Sequence, residues 1–480
     1  MNILNPLNIA IMKINTGIFF LMFAFLLSGC QTSDNSKKSE KEFTHEELVN
    51  IVKRSYQYVA MYNVINNFAM QKGSLLCTNG WNKTVKNTKL ADHTVKAIAR
   101  PNNDTYYILS LLDLRDDAVI ISYPAFDSKY VSVETSAYDH YVGVPLATSK
   151  GDFKKPVKVL YYSDHTKNYH GEDIKGVDKK LKMSGDFVVT FLRLMPHSSD
   201  PVRNAKIKKQ VKELKLTTLA EFQGKPAVAV SPVKFPAWKN DQFVFKNDFL
   251  EVMQFVFNHI SFDPNDAMDK AALETFAQLG VEPGKEYNPA DVVKLDGNEI
   301  ASIADSIAKA CLAIWNNPKG NPYLKQVFQP KGKMNLEAMV VQSSVGPIGL
   351  PATQAIYPGI GTADGKPMNA MHDYVVRMPT KADLPPAKAF WSVTLYDAKN
   401  GYFIPNKRHK YVVGENSGMK LNKQGGIEIY IAAEKPKGVP EENWLPINRE
   451  DINLDLIMRI YVPDWDKMKT WKQPVAEMIK

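Results

Sequence analysis

Residues 106–123 have the sequence YYILSLLDLRDDAVIISY, and this stretch sets the architecture of the N-terminal half. Two runs of apolar and β-branched residues, at 106–112 and 119–123, flank an acidic turn, which is the pattern of two short β-strands. Similar runs follow at 130–135, 157–162 and 187–194. Because turn residues separate these runs, we predict that they pair as antiparallel strands.

Helical patterns lie on both sides of the predicted strands. Thr44 and Glu47 have the spacing of a capping box, and apolar residues recur after them at helical intervals. We therefore predict one long helix over residues 44–71. Asp200 precedes a proline, and this pair predicts the start of a helix over residues 201–214.

The middle of the chain has helical periodicity. Residues 224–238 are rich in proline and indicate a crossing between domains. A stripe of apolar residues over 249–260 then predicts an amphipathic helix whose apolar face packs in a core. Asp-Pro and Asn-Pro pairs predict the starts of two further helical segments, over 263–280 and 288–315, the second either continuous or broken near Gly297.

The strand pattern returns in the C-terminal part, from about residue 336. The clearest predicted strands are 389–396, 411–413, 427–432 and 454–462. Short strands that alternate with turns in this way predict a β-sandwich. The chain therefore divides into a β-rich domain at 44–238, a helical connector at 239–330 and a sandwich at 331–480.

Composition narrows the class of protein. Of 480 residues, 44% are hydrophobic and 23% are charged, which is typical of globular domains rather than of disordered or fibrous chains. Three cysteines are too few for a scaffold built on disulfides. The net charge of +9 does not indicate nucleic-acid binding, because only nine of the 60 basic residues are arginines and the lysines alternate with acids.

An apolar run at residues 14–27 follows Lys13 and leads into LSGC at residues 27–30. The run is short for a membrane span but has the length of the apolar region of a signal peptide. Small residues before a cysteine resemble the lipobox of bacterial lipoproteins. This resemblance implies cleavage before Cys30 and attachment of lipid to its sulfur.

The resemblance to lipoproteins also implies a location. Residues 1–29 are then a signal peptide that is removed, and either Met1 or Met12 fits as its start. Residues 30–43 are almost entirely polar and predict a flexible tether. Gln31 stands where inner-membrane lipoproteins carry aspartate, so we expect the outer membrane of the bacterial envelope, with the protein facing the periplasm and held by its acyl chains.

Two groups of polar and aromatic residues are candidates for binding a ligand. Amides, carboxylates and arginines beside aromatic rings suit small molecules and glycans. The first group consists of Asn102, Asn103, Asp104, Tyr106 and Asp113. The second consists of Trp391, Asn406, Arg408, Tyr411, Asn443, Trp444 and Arg459. The same residue types also cap turns and form hydrogen bonds in cores, so a structural role is the alternative.

The sequence lacks several common catalytic and cofactor motifs. It has no phosphate-binding loop, no zinc-binding H-E-x-x-H helix and no G-x-S-x-G nucleophile elbow. Residues 164–173 contain histidines and carboxylates, but their spacing does not fit a rigid metal site. No metal and no cofactor are therefore predicted. Cys77 and Cys311 are equally compatible with a disulfide and with two free thiols.

Several short motifs resemble a known pair of domains. The segments PNNDTY at 101–106, DL at 113–114 and YVSV at 130–133 are similar to the N-terminal domain of unknown function numbered 1254. Its usual C-terminal companion, numbered 1214, is similar to FWSVTLYD at 390–397, NWLP at 443–446, RIY at 459–461 and WKQP at 471–474. The segment LGVEPG at 279–284 resembles the helical connector between the two.

This resemblance implies a multidomain α+β fold, with a β-rich N-terminal domain, an all-α middle segment and a C-terminal jelly-roll-like β-sandwich. Members of the family are typically bacterial, often exported and largely uncharacterised. The resemblance therefore implies an architecture and leaves the activity open.

Three hypotheses about function follow. The first is an envelope lipoprotein that binds a small molecule or glycan without catalysis. The second is a periplasmic hydrolase of amide, ester or glycosidic bonds, with Asp104 and Asp113 as acid and base. The third is a non-enzymatic partner in envelope assembly, and a homodimer is compatible with each of them.

Overall fold

The computed structural model describes residues 42–479, except 75, 97 and 316–320. The predicted signal peptide, Cys30 and most of the predicted tether lie outside these residues. Within the described part of the chain, no helix is both long and apolar enough to cross a membrane. The described residues belong to one compact unit.

A long helix, α1 (His45–Met70), opens the described chain. The Thr44 hydroxyl accepts a hydrogen bond from the Glu47 amide, and the Glu47 carboxylate accepts one from the Thr44 amide at 2.8 Å. This reciprocal pair confirms the predicted capping box. All residues from Ser55 to Asn63 are buried, so α1 is enclosed on every side rather than lying on the surface.

Nine strands and a helix follow α1. They are β1 (Lys83–Asn87), β2 (Tyr106–Asp113), β3 (Val119–Tyr123), β4 (Val131–Ser136), β5 (Gly143–Ala147), β6 (Val157–Tyr162), β7 (Lys179–Lys182), β8 (Phe187–Leu194), α2 (Pro201–Glu213) and β9 (Lys215–Thr218). The predicted strands at 119–123, 157–162 and 187–194 are confirmed at their bounds, and Asp200 caps α2 as predicted.

These strands form two sheets rather than one. Sheet 1 has the order β1-β2-β8-β4-β5, and sheet 2 has the order β7-β6-β3-β9. The consecutive strands β2 and β3 therefore lie in different sheets, and only β6 and β7 pair in parallel. Ile108 and Val188 of sheet 1 share a core with Ile121 and Val159 of sheet 2, so the two sheets pack face to face.

The middle helices are α3 (Leu219–Phe222), α4 (Asp241–Asn247), α5 (Phe249–Asn258), α6 (Ala267–Ala277), α7 (Gly297–Trp315) and α8 (Leu336–Val345). The stripe predicted at 249–260 is confirmed as α5. The segment predicted at 288–315 is helical only from Gly297, because residues 288–296 form turns. The prediction that strands begin at about residue 336 is wrong, because the residues from Leu336 to Val345 form α8, which Asn335 caps.

The C-terminal part consists of β10 (Ala355–Ile356), β11 (Met368–Asn369), β12 (Tyr374–Thr380), β13 (Ala387–Asp397), β14 (Val412–Gly414), β15 (Gly425–Ala432), β16 (Trp444–Pro446), β17 (Asn453–Pro463), α9 (Trp465–Met468) and β18 (Ala476–Met478). Sheet 3 has the order β10-β17-β13-β14 with β11 on β17, and sheet 4 the order β16-β15-β12-β18. Val393 and Met458 of sheet 3 share a core with Val376 and Ile429 of sheet 4. The two sheets thus pack as layers, while a jelly-roll connectivity stays a prediction.

Sheet 1 is covered on both faces. One face packs on sheet 2, and the other presents Leu109 and Phe187 to a core that also contains Val52 of α1, Phe257 of α5 and Ile303 of α7. This core joins residues on both sides of position 238, although the predicted domain bounds themselves stay predictions. The far end of the same face meets sheet 3, and this junction holds the candidate site.

Candidate ligand-binding site

Aromatic rings join sheet 1 to sheet 3. The rings of Phe390 and Tyr461, from β13 and β17, stack with centroids 4.1 Å apart, and Tyr130 packs on Tyr461 at 5.0 Å. Side chains alternate across a strand, so Phe390 and Tyr461 face the junction while Trp391 and Ile460 face the interior of the sandwich. The outer face of sheet 3 is therefore buried against the N-terminal part.

Asp104 enters this junction from the loop that precedes β2, and it is fully buried. Its Oδ2 atom accepts hydrogen bonds from the Ser392 hydroxyl at 2.7 Å and the Tyr461 hydroxyl at 3.3 Å. Its Oδ1 atom has no hydrogen-bond partner among the described residues. Burial raises the pKa of Asp104, and the nearby Arg459 guanidinium opposes that shift.

Asn102 fixes the loop that carries Asp104. Its side-chain oxygen accepts a hydrogen bond from the Asp104 amide at 2.6 Å, and its side-chain nitrogen donates to the Tyr461 hydroxyl at 3.0 Å. An asparagine that bonds its own loop is a common turn device. Here the same side chain also ties the loop to β17.

Arg459 lies on β17 and is buried. Its guanidinium donates to the Tyr396 hydroxyl at 2.6 Å, to the Thr394 hydroxyl at 2.7 Å and to the Arg100 carbonyl at 3.1 Å. The first two partners lie on β13 and the third lies in the loop before Asp104. The arginine thus places a fixed positive charge beside the buried carboxylate.

A buried ion pair lies on sheet 1 at the same junction. Arg193 of β8 pairs with Glu134 of β4, and both side chains are almost inaccessible to solvent. The guanidinium carbon lies 4.7 Å from the centre of the Phe191 ring and 5.8 Å from that of Tyr107. Burial raises the pKa of Glu134, and Arg193 opposes that shift.

Tyr357 stands between the two arginines. The Arg459 guanidinium carbon lies 5.9 Å from its ring centroid. Although 39% of the residue is exposed, desolvation raises the pKa of its hydroxyl to about 12, against the opposing charges of Arg193 and Arg459. The ring therefore reaches solvent while the hydroxyl points inward, which makes Tyr357 the place where solvent approaches the cluster.

Gln354 adds a second unsatisfied acceptor at the junction. Its side-chain oxygen is buried without a hydrogen-bond partner among the described residues. Its side-chain nitrogen donates to Ser149 at 3.3 Å, and its carbonyl accepts from the Val462 amide at 2.8 Å. Buried polar groups normally have partners, so each unpaired acceptor marks a place where a water or a ligand donor fits.

Of the twelve predicted ligand residues, the structure brings together Asn102, Asp104 and Arg459. The others of the first group have separate partners. Asn103 donates to the Ala91 carbonyl, Tyr106 bonds Asn204 and Asp113 pairs with Arg115 at 2.7 Å. Asp104 precedes the eight-residue strand β2 and Asp113 is its last residue, so the two are roughly 25–30 Å apart, too far to act as acid and base on one bond.

The rest of the second group lies elsewhere in the C-terminal part. Trp391 packs in the sandwich core, Asn406 bonds its own turn and Arg408 is exposed beside Glu441. The Tyr411 hydroxyl bonds His93 at 2.6 Å, Asn443 bonds the Lys420 backbone and Trp444 donates to the Ala432 carbonyl at 2.8 Å. These contacts are structural, and none joins the cluster around Asp104.

Six polar residues at the junction were not among the predicted residues, namely Glu134, Arg193, Gln354, Tyr357, Ser392 and Tyr461. The signal for Arg193 and Glu134 was present, because both interrupt predicted strands that are otherwise apolar or hydroxyl-bearing. A charge in such a strand is rarely buried without a partner. No feature of the sequence marked Tyr357, because this residue lies in a short connection after β10.

The metal-capable stretch at 164–173 is held by ion pairs with other residues. Asp164 pairs with Lys182 at 2.6 Å, and His165 bonds the buried Asp186 at 3.1 Å. Within the described ranges, no group of three or more histidines, cysteines and carboxylates is arranged to hold a metal ion. Cys77 and Cys311 are both buried and free, which selects the thiol alternative.

The fold is shared with a protein of known structure. The VPA0106 protein from Vibrio parahaemolyticus has a TM-score of 0.67 and 21% identity, over 90% of this chain and all of that chain. An uncharacterised protein from Burkholderia cenocepacia has a TM-score of 0.41 and 14% identity, over 91% of this chain and 96% of that chain. A search of curated proteins gives no match.

Two family models match the chain at the places where the motifs lie. Residues 81–217 match the protein of unknown function DUF1254, and residues 354–465 match the protein of unknown function DUF1214. The first match contains sheet 1 and sheet 2, and the second contains most of the sandwich. The chain therefore belongs to the family of proteins that pair an N-terminal DUF1254 domain with a C-terminal DUF1214 domain.

Proposed function

We propose that the protein is a lipid-anchored lipoprotein of the bacterial outer membrane, facing the periplasm, and that it binds a neutral small molecule or glycan at the junction of sheet 1 and sheet 3. The binding cluster consists of Asn102, Asp104, Glu134, Arg193, Gln354, Tyr357, Arg459 and Tyr461. The anchor is Cys30, supported by the lipobox-like sequence at residues 27–30.

One observation carries the binding proposal, namely the unpaired Oδ1 atom of the fully buried Asp104. Leaving a buried acceptor without a donor costs about 1–3 kcal/mol. The second unpaired atom, the side-chain oxygen of Gln354, is also an acceptor. A ligand with hydroxyl or amide N–H groups satisfies both atoms, whereas a ligand without donors satisfies neither.

The charges of the cluster also favour a neutral ligand. Arg193 is paired with Glu134, and Arg459 lies beside Asp104, so the cationic and anionic side chains balance. An additional charge on the ligand would remain uncompensated in a buried site, which is costly. The half-exposed ring of Tyr357 supplies an aromatic surface of the kind that covers the apolar face of a sugar.

Binding of neutral oligosaccharides tests this proposal. We would titrate the purified full chain calorimetrically with short oligomers of glucose, of N-acetylglucosamine and of their reduced alditols. We expect at least one of these ligands to bind, and Tyr357→Ala to weaken that binding at least tenfold. Tyr402→Ala, at a partly exposed tyrosine outside the cluster, is the matched control and should bind as the wild type does.

A second variant addresses the buried acceptor. Asp104→Asn retains the shape of the side chain but replaces one acceptor by a donor, so it should weaken binding while thermal unfolding reports whether the fold persists. The proposal is overturned if no neutral ligand binds, or if Tyr357→Ala and Tyr402→Ala have the same effect.

A further inference from the structure

A groove with a volume of about 320 Å³ lies beside the start of β5 and the end of β7. Its polar wall contains Tyr141, Lys182, Ser184 and Lys331, and Val144 and Leu181 contribute to its apolar wall. A volume of this size accommodates a small organic molecule. None of the residues that line it belongs to the cluster around Asp104.

Lys331 lines this groove, and its ammonium group pairs with two buried carboxylates. Its ammonium group lies 2.7 Å from Asp269 and 3.4 Å from Asp139, and both carboxylates are about 1% exposed. It also donates to the Ser261 carbonyl at 2.9 Å. An ammonium has three N–H donors, so the bonds to Asp269 and Ser261 leave one donor for Asp139 or for a ligand.

Asp139 is held behind Lys331 with one oxygen unsatisfied. Its Oδ1 atom accepts a hydrogen bond from Ser184 at 2.9 Å. Its Oδ2 atom accepts no hydrogen bond among the described residues, although it is the atom that lies 3.4 Å from the Lys331 ammonium. Burial raises the pKa of Asp139 to about 6, partly offset by Lys331.

The charged side chains that line the groove are both positive. Lys182 and Lys331 both reach it, and no carboxylate is among the residues that line it. The Lys182 ammonium pairs with Asp164, whose side chain is 45% exposed, so this pairing is open to exchange with solvent or with another anion. The Ser184 hydroxyl donates its one hydrogen to Asp139, so the two lysines supply the hydrogen-bond donors for an anion.

We propose that this groove binds a small organic acid, with its carboxylate beside Lys331 and Lys182 and its apolar part against Val144 and Leu181. The ligand differs in class from the neutral one proposed for the junction, and the two sites are independent. Cations on the lining favour an anion, and the apolar wall requires that the anion carry a hydrocarbon body.

A charge series on one hydrocarbon body tests the proposal. We would titrate the purified full chain with 4-phenylbutanoate, 4-phenylbutanol and 4-phenylbutylamine. The acid should bind at least tenfold more tightly than the alcohol, and the amine should not bind detectably. Equal affinities for the acid and the alcohol, or no binding of the acid, would overturn the assignment.

Lysine variants locate the site. Lys182→Met should weaken binding of 4-phenylbutanoate at least fivefold without unfolding the protein, because this side chain is about half exposed. Lys180→Met is the matched control, since Lys180 lies on the same strand but pairs with Asp173 outside the groove. Tyr357→Ala should leave binding of the acid unchanged, and a loss there would place the acid at the junction and contradict the groove.

Discussion

The carboxylate of Asp104 accepts a 2.7 Å hydrogen bond from the hydroxyl of Ser392, a residue 288 positions later in the chain. The first residue lies within the DUF1254 match and the second within the DUF1214 match. Because both groups are fully buried, the bond forms only when the two parts are packed together. The two domains are therefore joined by a polar core rather than by a flexible linker.

Removing the cation from this core should destabilise the protein strongly. Arg459→Met removes a buried guanidinium that donates to the Tyr396 and Thr394 hydroxyls, and two hydrogen bonds from a charged group together contribute about 3–6 kcal/mol. We expect a loss of that size in the free energy of unfolding, measured by urea denaturation.

Arg408→Met is the control for this variant. Arg408 is 60% exposed and lies 3.5 Å from Glu441, so its removal should cost less than about 1 kcal/mol. Similar losses for the two variants would show that the hydrogen bonds of Arg459 contribute little to stability.

Stability should fall as the pH is lowered, in part through His140. Its ring bonds Ser343 and the Pro347 carbonyl at 2.7 Å each, and burial lowers its pKa from 6.5 to about 4. A group with a depressed folded-state pKa contributes full stability above pH 6.5 and loses it as the pH falls towards 4. The full loss is about 3 kcal/mol.

The comparison of wild type with His140→Gln isolates this contribution. Glutamine can still donate to the Pro347 carbonyl but does not titrate, so its unfolding free energy should decline less between pH 6.5 and pH 4. Parallel curves for the two proteins would contradict the assigned shift. The difference between the curves is the measurement, since other buried groups titrate in both proteins.

The thiols of Cys77 and Cys311 should be free and protected. Both are buried, so a thiol reagent such as dithionitrobenzoate should react with neither in the native Cys30→Ser variant and with both in denaturant. A reducing agent should leave the free energy of unfolding unchanged. Detection of fewer than two thiols in the denatured protein would indicate a disulfide.

Lipid attachment at Cys30 predicts membrane association. The wild-type chain, expressed in bacteria, should incorporate labelled palmitate and sediment with the outer membrane. Cys30→Ser should do neither, because a serine hydroxyl does not receive the diacylglycerol that anchors the protein. Recovery of the variant in the membrane fraction, at wild-type levels, would argue for a different mode of attachment.

The N-terminal strands were predictable because their pattern is local. Runs such as 187–194 are bounded by turn residues and are mostly apolar, as strands buried on both faces are. In contrast, α8 was mistaken for the start of the strand region, because Val340 and Val341 are β-branched. Packing of both valines against Cys311 of α7 outweighs that preference.

The candidate site was only partly predictable, for a reason visible in β13. Its residues alternate between two buried faces, so Trp391 points into the sandwich while Phe390 and Ser392 point to the junction. When both faces of a strand are buried, hydrophobicity does not indicate which face meets which neighbour. Asn102, Asp104 and Arg459 stood out by residue type, but their partners depend on pairing between distant segments.

The burial of α1 on every side has a consequence for the order of folding. The core around this first helix is completed by α5 and α7, which lie some two hundred residues later in the chain. When α1 emerges from the ribosome, α5 and α7 have therefore not yet been synthesised, and the apolar surface of α1 remains exposed. High contact order of this kind slows folding and exposes the nascent chain to aggregation, so assistance by a chaperone should matter more for this protein than for one whose first helix packs locally.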